Sequence, residues 1–155
     1  MSVRSSPRVE LPITLDLDEG IDRHRLNQLR DRFCRLHAVR LARTRSALGM
    51  RQQRVLDLLP LIFHLNHPAL PGFLDTTCPK GFRGYTPDTS SLQQAQCVAR
   101  TFHWRPDKRL APQLHALYLM GSTGSVAHSG ASDLDVWLCH DPALKPAEVA
   151  CLQRK

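Results

Sequence analysis

Two aspartates, Asp133 and Asp135, flank one leucine in an apolar run that continues Val136-Trp137-Leu138. Side chains alternate faces along a strand, so both carboxylates project to one side, with Cα atoms about 6.5 Å apart. Leu134, Val136 and Leu138 project to the other side and are read as core. Carboxylates held this way suit a pair of Mg²⁺ ions, hard cations that take oxygen ligands and sit about 3.5–4 Å apart in two-metal phosphoryl-transfer sites. Upstream, Tyr118-Leu119-Met120 runs into Gly121-Ser122. Glycine at a strand end lets a phosphate approach the backbone, and a helix start beyond it offers unpaired N–H groups and partial positive charge. Strand, Gly-Ser turn, short helix and acidic strand thus supply both halves of a site for a metal-bound phosphate. Lys80, beside Gly81, is a further candidate phosphate contact. Asp16-Leu17-Asp18 repeats the acidic pattern without a Gly-Ser turn and is read as a solvated edge.

The composite of an apolar residue, Gly-Ser, ten residues, then two aspartates set in an apolar strand resembles the nucleotidyltransferase superfamily that includes DNA polymerase beta. Further runs narrow the likeness. Met120-Gly121-Ser122-Thr123, Ser125-Val126, Ser129 and Ser132-Asp133-Leu134-Asp135-Val136-Trp137 are similar to the bacterial class I adenylate cyclases. So are Leu58-Leu59-Pro60, His67-Pro68 through Pro71-Gly72-Phe73-Leu74-Asp75, and Pro79-Lys80-Gly81 with Tyr85-Thr86-Pro87-Asp88. The resemblance covers residues 22–155 in order. It implies conversion of ATP to 3′,5′-cyclic AMP and diphosphate. Asp133 and Asp135 would hold Mg²⁺ or Mn²⁺, and Gly121 and Ser122 would bind the β- and γ-phosphates. Family members run to several hundred residues, with a regulatory C-terminal half, so the rest of a cyclase chain is an expected partner. The superfamily also brings a third acid from a later strand. Only Asp141 and Glu148 follow Asp135. Asp141 ends the same strand and Glu148 starts a helix, so the chain alone is expected to be inactive. Two other readings stay open: a nucleotidyltransferase acting on an external acceptor, and a non-catalytic nucleotide-binding or interaction fragment.

The expected fold class is α+β: a helical N-terminal region, then the first strands of a DNA polymerase beta-like nucleotidyltransferase core, incomplete at the C-terminus. Residues 1–21 read as an extension with alternating Leu11, Ile13, Leu15 and Leu17 as a short edge strand. Residues 22–155 form the cyclase-like part, helical over 22–104 and core from 115. Leu26, Leu29, Phe33, Leu36 and Val39 recur at helical spacing over 22–48, and Gly49 is read as the break. A second helix buries Val55, Leu58, Leu59, Ile62 and Phe63, with Pro60 kinking it or starting a new turn. His64 and His67 are read as packing or capping residues. Proline and glycine mark 66–91 as loop-rich. A third helix over 89–104 turns Leu92, Ala95 and Val98-Ala99 inward, with Ser90 or Ser91 near its cap. Pro146 opens a last helix, with Glu148 favourably in its first turn.

The net charge of +7 is local: between Arg23 and Arg54 there are ten arginines and one acid, Asp31. This run reads either as a solvated helix face or as a dock for an acidic surface of the rest of the chain. Apart from Phe33 no aromatic ring is interleaved with the arginines, fewer than a base-stacking surface would need, so nucleic acid is not an expected partner. Five cysteines without C-x-x-C spacing argue against a disulfide framework and structural zinc. No run spans a bilayer and no signal-peptide core opens the chain. The expectation is a cytoplasmic protein with reduced cysteines.

Overall fold

The computed structural model describes residues 22–107, 109–121, 124–125 and 134–155. The N-terminal extension with Asp16 and Asp18, the residues Ser122 and Asp133, and the short helix expected after Gly121 lie outside the described residues. Among the described residues the fold is α+β: four helices and a two-stranded antiparallel sheet, in the order α1 (Arg23–Ala47), α2 (Met50–Leu65), α3 (Thr89–Val98), β1 (Leu114–Met120), β2 (Asp135–His140), α4 (Pro146–Arg154). Among the described residues no helix is long and apolar enough to cross a membrane.

The Asp22 side chain starts α1 by accepting the His24 N–H at 2.8 Å. Such a cap satisfies one of the orphan donors of the first turn. Leu48 ends the helix, and Gly49 begins the next, its N–H donating to Gln52 Oε1 at 3.2 Å. The corner between the two helices is stapled. Gln53 Nε2 donates to the carbonyls of Arg45 and Leu48, and the Arg45 guanidinium pairs with Asp57. Beyond that corner α1 projects: Leu26, Phe33, Leu36 and Val39 are each more than half exposed.

Helix α2 is unbroken across Pro60. Its buried side is Leu56, Leu58, Leu61, Ile62, Phe63 and His64, while Val55 faces out, contrary to expectation. Burial on several sides of its C-terminal half explains why one apolar stripe mis-assigns the face, and that packing offsets the donor lost at Pro60. Helix α3 stops at Val98, not 104, and is capped by Asp88, whose carboxylate accepts the Ser91 N–H at 2.7 Å. Ala95 is inward and Val98 exposed, because Phe102 folds back into the core and takes the place a longer helix would use.

The core has two parts. One joins α2 to α3 through Leu58, Leu61, Ile62, Leu70, Ala95 and Phe102. The other gathers Phe63, Cys78, Phe82, Leu114 and Leu152 beneath the sheet, with Leu117 and Leu138 packed on it. His64 is a packing residue, as expected: its Nδ1 accepts the Phe82 N–H at 3.0 Å. His67 Nδ1 accepts the Ala69 N–H at 3.1 Å. Cys78 and Cys151 form a disulfide, Cα–Cα 5.7 Å, which corrects the expectation of reduced cysteines. The partners stand 73 residues apart, one in a loop and one on α4, so no local spacing signals the pair. Helix α4 begins at Pro146 with Glu148 in its first turn, the carboxylate accepting the Lys145 N–H at 2.7 Å.

Candidate active site

Strand β1 is fixed at its start and open at its end. Leu114, fully buried, donates its N–H to the Gly81 carbonyl at 2.9 Å and bridges Phe82. Gln113 accepts the Asp141 N–H and donates to the Lys80 carbonyl. From this base the register with β2 runs Ala116–Cys139, Leu117–Leu138, Tyr118–Trp137, Leu119–Val136 and Met120–Asp135. An irregularity between Leu114 and Ala116 precedes the regular ladder. Leu117 and Leu138 face the core. By alternation, Asp135, Trp137, Tyr118 and Met120 share the outer face, and all four are exposed, Trp137 at 61%.

At the open end the chain leaves β1 through Gly121 at φ +72°. A Cβ there would lie 3.0 Å from Asp135 Oδ2. The Asp135 carboxylate therefore stands close beside the turn, and glycine suits both the positive φ and that approach. Gly124, buried and at φ +70°, lies against the Arg40 carbonyl and Thr44 of α1, with no room for a Cβ. Thr44 is itself buried and donates its hydroxyl to the Arg40 carbonyl at 3.0 Å. Gly124 is thus seated against the C-terminal half of α1.

Two cavities adjoin this strand. The first, about 430 Å³, opens between α1 and β1 and is lined by Phe33, His37, Leu41, Thr44, Leu117 and Tyr118, with Arg40 at its rim. The second, about 250 Å³, lies between α1, α2 and β1 and includes Arg45, Asp57 and Asp88. The Ser91 N–H holds the Asp88 carboxyl below its usual range.

The structure brings Gly121 and Asp135 together and leaves Ser122 and Asp133 outside the described residues. It does not bring Lys80 to them. Lys80 sits at the base of β1, its N–H donating to Gln113 Oε1 at 3.4 Å, one strand length of about 20 Å from Gly121. Its charge there acts on Lys155, which burial and Lys80 together lower to about 8. The Asp135 carboxylate is exposed beside Gly121, and among the described residues no group of three acids, histidines or cysteines comes together that could hold a metal ion. Sequence reading does not bring Tyr118, Phe33, His37 and Thr44 to one cavity, as the structure does. Tyr118 was within reach, since it alternates with Met120 on the Asp135 face. The α1 residues lie some 80 positions upstream with no local signal.

A family model described as the adenylate cyclase NT domain matches residues 25–155. Adenylate cyclases of Escherichia coli K12 and Salmonella typhimurium are 38% and 37% identical over 133 residues, and that of Yersinia pestis 34% over 136. Each alignment covers 84% of this chain and 16% of the relative, so the chain spans about one sixth of the length of the curated relatives it matches. No solved structure matches the chain.

Proposed function

The chain belongs to the adenylate cyclase N-terminal domain family, and from that premise we propose that it supplies the metal- and phosphate-binding end of a site that converts ATP to 3′,5′-cyclic AMP and diphosphate. The observation that carries this reading is the placement of the Asp135 carboxylate beside Gly121, through the pairing of Met120 with Asp135. In the reaction the ribose 3′-oxygen forms a bond to the α-phosphorus, the bond from that phosphorus to the bridging oxygen of diphosphate breaks, and the hydroxyl proton is lost. Asp135, with Asp133, would hold Mg²⁺ or Mn²⁺. When bound, such an ion offsets phosphate charge and acidifies the attacking hydroxyl.

The chain's own groups do the positioning. Gly121 leaves the backbone bare at the strand end, so that the amides of the Gly121–Ser122 turn approach the β- and γ-phosphates. Gly124 seated on α1 keeps that turn from swinging away. The packed base of β1 holds Met120 in register with Asp135, which fixes where the carboxylate stands relative to the turn. The remaining length of the cyclase relatives is the natural source of the further acid the superfamily chemistry uses. On this reading residues 1–155 bind the metal-nucleotide and form no cyclic AMP alone.

The test is a chimaera in which this chain replaces the corresponding N-terminal sixth of the Escherichia coli enzyme. It should make cyclic AMP from ATP, and Asp135→Asn should lower the rate by several orders of magnitude. Near-normal turnover in Asp135→Asn would end the assignment.

A further inference from the structure

We infer that the cavity between α1 and β1 is the seat of the nucleotide's base, with Phe33 and Tyr118 as its aromatic walls. The inference rests on the function proposed above and adds to it a subsite.

Placement is the first argument. Tyr118 lines this cavity, as it does the smaller one, and shares the outer face with Met120, which pairs with Asp135. Two residues along a strand cover about 6.6 Å, close to what a ribose spans between base and α-phosphate. A nucleotide whose phosphates lie on the Gly121 turn therefore brings its base alongside Tyr118. Gly124 supplies the second tie, because it is seated on Arg40 and Thr44, which also line the cavity. The phosphate turn and the far wall of the cavity are one packed unit.

Chemistry is the second argument. Phe33 and Tyr118 are large rings left 53% and 41% exposed beside an apolar cavity of about 430 Å³. Aromatic rings flanking an apolar slot suit a flat heterocycle, since every base has a stacking face. His37, whose ring centroid is 4.1 Å from that of Phe33, puts a polar edge at the slot where exocyclic base groups would lie. Charge separates this cavity from its neighbour. The smaller cavity carries two carboxylates, Asp57 and Asp88, against one guanidinium, Arg45, which is paired with Asp57, whereas the charged group at the larger one is Arg40.

The experiment uses residues 1–155 and two probes, Mn²⁺ with ATP and Mn²⁺ with inorganic triphosphate, measured by calorimetry. Phe33→Ala and Tyr118→Ala should each weaken ATP roughly ten-fold, the scale of one lost base–aromatic stack, and leave triphosphate unchanged. Phe33→Tyr should restore ATP. Both rings are exposed, so the alanine variants should stay folded. Equal losses for ATP and triphosphate, or no loss for ATP, would overturn the base assignment while leaving the phosphate site standing. Photolabelling with 8-azidoadenosine, which carries no phosphate, keeps the two readings apart. Adducts on residues 33–40, which line the larger cavity and not the smaller, support the base seat whatever triphosphate does, and adducts without them on residues 85–91 overturn it. Failure of triphosphate to bind, with labelling of the α1 cavity intact, would count against the phosphate reading alone.

Discussion

The two ends of β1 lie about 20 Å apart and obey different rules. At Leu114 the strand is fully buried, bridged to Phe82 and bonded to Gly81, over a core in which a disulfide ties Cys78 to α4. At Met120 it is exposed, ends on a glycine at positive φ and meets a carboxylate that faces solvent. The packed end has many neighbours and no chemistry of its own. The open end carries the proposed chemistry, and its described residues Tyr118, Met120, Asp135 and Trp137 are exposed. A carboxylate and a backbone turn can stand side by side without a core around them because the strand that carries them is locked elsewhere. Substitutions at the packed end should therefore move stability, and substitutions at the open end should move binding.

The largest effect on stability belongs to the disulfide. Cys151→Ser opens a crosslink between residues 73 apart, and in the loop-entropy view that costs about 4 kcal/mol. Urea unfolding of the variant, or of the parent with and without reductant, measures it. An unchanged midpoint would remove the disulfide from the account of the packed end.

The glycines sharpen the contrast. Gly84 and Gly124 share φ +70°, but a Cβ at Gly84 meets nothing within 4 Å, whereas at Gly124 it runs into the Arg40 backbone and Thr44. Gly84→Ala should cost about 1 kcal/mol, from backbone strain alone. Gly124→Ala should cost about 2–3 kcal/mol, because α1 must also move, and it should weaken nucleotide binding where Gly84→Ala does not. Equal costs with equal binding would mean that α1 does not brace the turn.

Smaller effects test the helical half. Asp88→Ala removes the α3 cap and should cost about 1 kcal/mol at neutral pH. The Ser91 N–H holds the Asp88 carboxyl below its ordinary value, so this contribution is present above the unfolded pKa and disappears as acid protonates the folded-state carboxylate. His64 gives a second pH signature. Burial lowers its folded pKa below the ordinary 6.5. The unfolded chain then takes up the proton first, so stability holds above about pH 6.5 and falls as the pH drops from there towards the folded pKa. His64→Gln should flatten that slope. A slope unchanged by the substitution would assign it to other groups.

The sequence displayed the local features of this fold and hid the distant ones. Helix starts were readable because their signals are a few residues wide: Pro146 with Glu148, and the stripe from Leu26 to Val39. Asp88 was passed over as a cap in favour of the serines after it, although its carboxylate is what reaches Ser91. That Asp135 projects to one face of an apolar strand follows from period-two alternation, whereas its pairing with Met120 is a tertiary fact. Lys80 drew notice because it stands beside a glycine, yet adjacency in sequence says nothing about which end of a strand a loop will serve. The Cys78–Cys151 pair and the seat of Gly124 on α1 arise from tertiary packing across 73 and 80 or more residues, which no local pattern carries.

The claim at the centre is that the open end of the sheet holds a metal-nucleotide. It is tested most directly by titrating residues 1–155 with Mn²⁺ and ATP together, for the parent, Asp135→Asn and Cys151→Ser. The account predicts binding by the parent that needs both metal and ATP, its loss in Asp135→Asn without loss of fold, and its retention in folded Cys151→Ser. Metal-dependent ATP binding that survives Asp135→Asn unchanged would contradict it.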